Sequence, residues 1–211
     1  MMEIFLKGGL IGLAIAAPVG PIGLLCIRRT LRDGRLVGLA TGLGAATADG
    51  FYGLVAATGL AVSGLLISHG DWMRIGGGLL ILYLGIATFR RGLDVQPHDP
   101  AKAPAGHAPL KAYGTTFLLT LSNPSTILAF VGMISGLTVG AAAGKGAAYW
   151  LVFGVFSGSA LWWLFLVSMT AMMRHFVSDG LMRMIDFLSG AILAVWGAWM
   201  AWQGSSALSL W

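Results

Sequence analysis

Asp49 is an acidic residue set deep in an apolar run, with the uncharged stretch Leu36–Ala48 before it and Gly50–Gly70 after it. A carboxylate at the centre of a bilayer costs about 2.5–3.5 kcal/mol on insertion scales, so such residues are protonated, paired or placed in a wet cavity. No basic residue is expected deep in any apolar run to pair with it. What remains is a bound proton, a cationic substrate, or helix and amide donors. The bland alternative is a neutral, hydrogen-bonded aspartate packed between helices. Thr47 lies close enough in sequence to share the site. Ser159 holds the corresponding place later in the chain: Gly44 stands five residues before Asp49, and Gly154 five before Ser159.

Two groups of residues should break helices. Pro18, Gly20 and Pro21 fall inside the first apolar run, and Asn123-Pro124 inside the fourth. Proline removes a backbone donor and clashes with the preceding turn, at about 3 kcal/mol in a helix interior. The carbonyls it frees cannot face lipid, where an unsatisfied backbone group costs several kcal/mol. They must face protein or a wet cavity. Asn123 can satisfy a neighbouring backbone group or bind a solute. Two such breaks at matching places point to a shared site near the membrane midplane.

Other chemistries find little support. The single cysteine, Cys26, allows neither an internal disulfide nor a thiol-disulfide electron carrier. His69, His98, His107 and His175 fall in loops or at span edges, so a Ser–His pair with Ser157 or Ser159 is not expected at depth. Metal ligands are not clustered, and no cofactor motif is present. The expectation is a protein that is not an enzyme and carries neither metal nor cofactor.

The elements that position these residues follow from composition. Of 211 residues, 57% are apolar and 10% charged, against about 25% charged in a soluble domain. Lipid is therefore the expected solvent for most of the chain. Six uncharged runs are candidate spans: Gly8–Ile27, Leu36–Gly70, Ile75–Phe89, Ala112–Gly144, Gly146–Met173 and Phe187–Trp211. The third is short and needs its flanking arginines to snorkel. The net charge of +5 sits in clusters between the runs, which suits membrane orientation and lipid contact rather than nucleic acid. Ten of the thirteen basic residues fall on one side, with Arg28, Arg29, Arg32 and Arg35 in the first loop. The positive-inside rule then places both termini outside the cytoplasm. A five-span form with the N-terminus inside is the rival. Asp186, just before the sixth run, is expected to complement a helix N-terminus.

The segment Asp94–Pro109 is rich in proline and alanine and is expected to be a flexible linker. It divides the chain into a first three-helix unit (1–93), a linker (94–111) and a second three-helix unit (112–211). Gly78 and Gly85 in the third run repeat the spacing of Gly190 and Gly197 in the sixth. Three spans per half would force the second half to enter the membrane upside down. The fold class expected is thus an all-α membrane protein of six helices, arranged as two inverted three-helix repeats.

The residues also resemble a known family. The opening MEIFLKGGLIGLAIAAPVGPIG, the loop RRTLRDGR, the stretch GLGAATADGFYG around Asp49 and the segment LLTLSNPSTILAF are similar to the LysE/RhtB superfamily of amino-acid exporters. The resemblance implies export of amino acids or related metabolites across the inner membrane, driven by proton or voltage gradients. Pro18, Gly20, Pro21, Asp49, Asn123 and Pro124 match the family pattern by position. Ile22-Gly23 replaces a polar residue common there, and Ser125-Thr126 a basic one, which leaves the substrate open. A metal-ion or other small-solute exporter of the same superfamily, or a passive channel, is the alternative. Self-association into a homo-oligomer is left open by the sequence.

Overall fold

The computed structural model describes residues 1–18, 20–57, 70–93, 108–123, 126, 130 and 145–208. Most of the 94–111 linker, with His98 and His107, lies outside these residues, as do His69, Pro124 and Ser125. Among the described residues there are seven α-helices and no strand: α1 Met2–Ala16, α2 Pro21–Asp33, α3 Arg35–Ala57, α4 Gly70–Leu93, α5 Ala108–Leu121, α6 Lys145–Met173 and α7 Asp179–Leu208. A 3-10 turn, Arg174–Phe176, joins α6 to α7.

The first uncharged run is two helices rather than one straight span. The Ala17 amide still bonds to the Leu13 carbonyl, but Pro18 has no amide to continue the ladder. Gly20 is extended, and Pro21 restarts the chain at the first position of α2, where its missing donor costs nothing. The axis bends by 81° between α1 and α2. A second turn follows at Gly34, whose φ of +96° lies in the region that favours glycine. It folds α2 back along the start of α3.

This path corrects the expectation for the arginine cluster. Arg28, Arg29 and Arg32 are not in a loop: they lie on α2, and Arg28 and Arg29 are buried. Asp186 is likewise not at a helix start but two turns inside α7. The third uncharged run is part of a longer helix, since Arg74 and Arg90 are absorbed into the 24-residue α4. The fifth run corresponds closely to α6. Within the fourth run α5 ends at Leu121, just before Asn123, and most of the run beyond lies outside the described residues.

Glycines let the helices approach until backbones touch. A Cβ on Gly8 of α1 would overlap the Leu151 carbonyl of α6, and one on Gly12 would overlap the Val155 carbonyl. These contacts advance together along both helices, so α1 and α6 run parallel. Gly44 meets Tyr113 while Tyr52 reaches Leu121, which makes α3 and α5 parallel as well. Gly85 meets Ala194 and Gly190 meets Phe89, so α4 and α7 are antiparallel. Gly42 lies against Trp163 and Gly53 against Val155, so α3 and α6 are antiparallel too. Small residues at helix contacts are how membrane helices pack when no hydrophobic drive distinguishes lipid from neighbour.

The outer surface is apolar. Leu79, Tyr83, Phe153, Leu161, Phe165 and Val195 are all exposed, as expected of side chains that meet lipid. Two helical stretches, Ala148–Phe176 and Gly180–Ser206, are each long and apolar enough to cross a membrane; the bent pair α1–α2, taken as one span, is a third. Trp72, Trp150 and Trp202 are exposed near helix ends, where amphipathic rings favour the interface, while Trp196 and Trp199 are exposed further inside α7.

Candidate functional site

Asp49 stands fourteen residues after the start of α3, and Ser159 fourteen after the start of α6. At 1.5 Å per residue each lies about 21 Å along its helix. Because α3 and α6 are antiparallel, the two residues meet from opposite ends. Ser159 donates its hydroxyl to Asp49 Oδ2 at 2.6 Å. Both are buried, Asp49 at 3% exposure and Ser159 at 0%. Their neighbours on α3, Ala45, Ala46 and Ala48, are buried alanines that offer the carboxylate no side-chain donor. The arrangement can hold a proton or a cation on a carboxylate whose geometry is fixed by one donor from the other half of the chain.

The other sequence candidates sit differently. The Thr47 hydroxyl donates to the Leu43 carbonyl within its own helix, at 2.8 Å. Asn123 is half-buried at the end of α5. Its amide donates to the Thr120 carbonyl and its carbonyl accepts from the Thr126 amide, so it caps the break. Pro18 and Gly20 are exposed and Pro21 half-buried at the bend between α1 and α2. Trp163 is buried against Cys26, Ala45 and Ala46.

Sequence reasoning missed three partners of these elements. Tyr52, one turn beyond Asp49, donates its hydroxyl to the Leu121 carbonyl. That oxygen is one of those left without a helical partner where α5 ends. Arg29 spans three helices from α2: Nη1 donates to Thr41, Thr116 and the Ala112 carbonyl at 3.0–3.2 Å, and Nη2 to Thr115 at 3.0 Å. Arg28 Nε donates to Asp186 Oδ1 at 2.6 Å, and Arg32 bonds to Asp186 Oδ2. The signal that could have found the last group is its spacing. Arg28 and Arg32 share one helix face, and Asp186 is the one acid near the sixth run.

Against this geometry the comparisons with known proteins fall into place. The family model for LysE type translocator matches residues 13–204, nearly the whole chain.

The chain belongs to the LysE type translocator family.

A protein of Bacillus subtilis (strain 168) named "Putative amino acid efflux protein YcgF" is 28% identical over 211 residues, covering 98% of this chain and 99% of that one. One of Escherichia coli (strain K12) named "Uncharacterized membrane protein YahN" is 29% identical over 186 residues, covering 84% of this chain and 80% of that one. No solved structure matches. The translocator is a multi-pass helical membrane protein, and its family is one of transporters rather than enzymes.

Proposed function

We propose that this translocator exports an amino acid or a related small metabolite across the inner membrane, by alternating access around a midplane site built on Asp49 and Ser159. The observation that carries the reading is the buried Asp49–Ser159 hydrogen bond, which joins the two halves of the chain at matching depth beside two interrupted helices. Asp49 takes a proton or the ammonium group of the substrate. Ser159 orients the carboxylate, and the C-terminal end of α5, near Asn123, adds negative helix-end dipole to the same region. Thr47 and Pro124 belong to the segments that shape it.

Six spans in two inverted repeats are the architecture this mechanism uses. The packing supports that reading. A two-fold that exchanges α3 with α6 and α4 with α7 also exchanges the parallel pair α1–α6 with the parallel pair α5–α3. Gly78 and Gly85 then correspond to Gly190 and Gly197, with Gly85 and Gly190 meeting across the axis. Both termini would lie on the periplasmic side by the distribution of basic residues.

The deciding experiment is efflux of labelled amino acids from loaded proteoliposomes under imposed pH and voltage gradients. Wild-type protein should show gradient-dependent efflux, and Asp49→Asn should lose it. Wild-type rates in Asp49→Asn would remove the carboxylate from the mechanism. Flux indifferent to both gradients would make the protein a channel.

A further inference from the structure

The ion cluster around Asp186 lies away from Asp49 and has no part in the site just described. Asp186, 1% exposed, receives Arg28 on one carboxylate oxygen and Arg32 on the other. Arg28 is as deeply buried as Asp49, whereas Arg32 remains 20% exposed, so the cluster sits just beneath the protein surface. It ties α2 to α7, elements 158 and 154 residues apart at these contacts.

The seam behind this tie is packed closed except for a small gap of about 10 Å³. An apolar void lies between Pro21, Ile22 and Leu25 of α2 and Ile81, Leu119 and Leu193 of the helices facing it. Pro21 opens α2 directly after the first helix break, and Leu119 comes two residues before α5 ends at the second. The seam therefore runs from the surface cluster to both breaks. The opposite flank of α2 is held in another way. Cys26 packs on Ala45, Ala46 and Trp163, and Arg29 is bound to α3 and α5.

The two flanks differ in what separation would cost. On the α7 side the apolar contact is incomplete, and the polar contact is between ions that water can solvate once it enters. Burying such a pair is close to break-even against leaving its members hydrated. Opening a contact of this kind costs less than parting two fully packed apolar faces. On the α3 side, separation would strip a guanidinium of its bonds to three threonine hydroxyls and a carbonyl and expose a packed core.

We propose that α2 and α7 form a gate, latched by Asp186 to Arg28 and Arg32, which opens along the void to connect one face of the membrane with the helix breaks. The proposal rests on the transporter reading. The 81° bend between α1 and α2 and the turn at Gly34 are the hinges that free α2 to move. Asp186 acts as a positioning residue, since it holds the gate and touches no solute.

Maleimide labelling of full-length protein in membrane vesicles tests this. Ser189, 1% exposed and one turn from Asp186 on α7, is replaced by cysteine in a Cys26→Ala background to report on the seam. Native Cys26 reports on the other flank of α2. Adding Asp186→Asn should raise labelling at position 189 by about tenfold, as expected when a minor open state becomes well populated, and leave Cys26 protected. Asp186→Glu should keep the slow rate. An unchanged rate at position 189 in Asp186→Asn would overturn the latch. So would faster labelling at both positions, which would mean general loosening of the fold. Labelling requires no substrate, so its outcome is independent of the Asp49→Asn efflux assay.

Discussion

Ser159 and Asp49, 110 residues apart, are joined by a 2.6 Å hydrogen bond between buried side chains, and each stands fourteen residues into its own helix. A hydrogen bond to a charged group contributes about 1.5–3 kcal/mol. Ser159→Ala is therefore expected to slow efflux by about tenfold or more, measured as initial rates in proteoliposomes. If the two residues act as one unit, adding Ser159→Ala to Asp49→Asn should cost little beyond the single Asp49→Asn change.

Helix contact at glycine offers a stability test. Gly12→Ala must push α1 away from the Val155 backbone, and overpacking of this kind typically costs about 1–3 kcal/mol. For a chain of this size that corresponds to a fall of roughly 2–12 °C in the thermal midpoint of the detergent-solubilised protein. Gly20→Ala should leave the midpoint nearly unchanged, because a Cβ there meets nothing within 4 Å and its φ is negative.

The Arg29 cradle is expected to reject lysine. A guanidinium serves Thr41, Thr115, Thr116 and the Ala112 carbonyl at once, from a planar fork that an ammonium cannot reproduce. Arg29→Lys keeps the charge but should leave buried acceptors unserved, at about 1–3 kcal/mol for each group not rescued by water. A lowered thermal midpoint checks this, and a midpoint equal to wild type would show that charge alone suffices.

Tyr52→Phe removes the phenol that serves the Leu121 carbonyl while keeping the ring against Phe130. The end of α5 should fray, raising amide hydrogen exchange over residues 118–123 while α7 stays protected. The expected loss of stability is about 1–3 kcal/mol.

How much of this was legible depends on whether the cause is local. Proline chemistry is local, so the break after Ala16 and the end of α5 before Asn123 follow from Pro18, Pro21 and Pro124 in the sequence. Span lengths were legible only in part. Charge ends an apolar run in the sequence, yet Arg74 and Arg90 lie within α4, since long side chains let helical backbone continue past a charged position.

Read without its fold, the chain determines a membrane protein with one acid deep in an apolar run, two interrupted helices and glycine spacings shared between its halves. These features are written in hydropathy and backbone chemistry, which act over a few residues. Tertiary structure decided that Ser159 faces Asp49, that Tyr52 serves Leu121, and that Arg28 is buried on Asp186 with Arg32 bonded beside it. An arginine has the same hydropathy in a loop or beneath the surface. For Arg28 it is the approach of a carboxylate from a helix some 150 residues away that makes burial affordable.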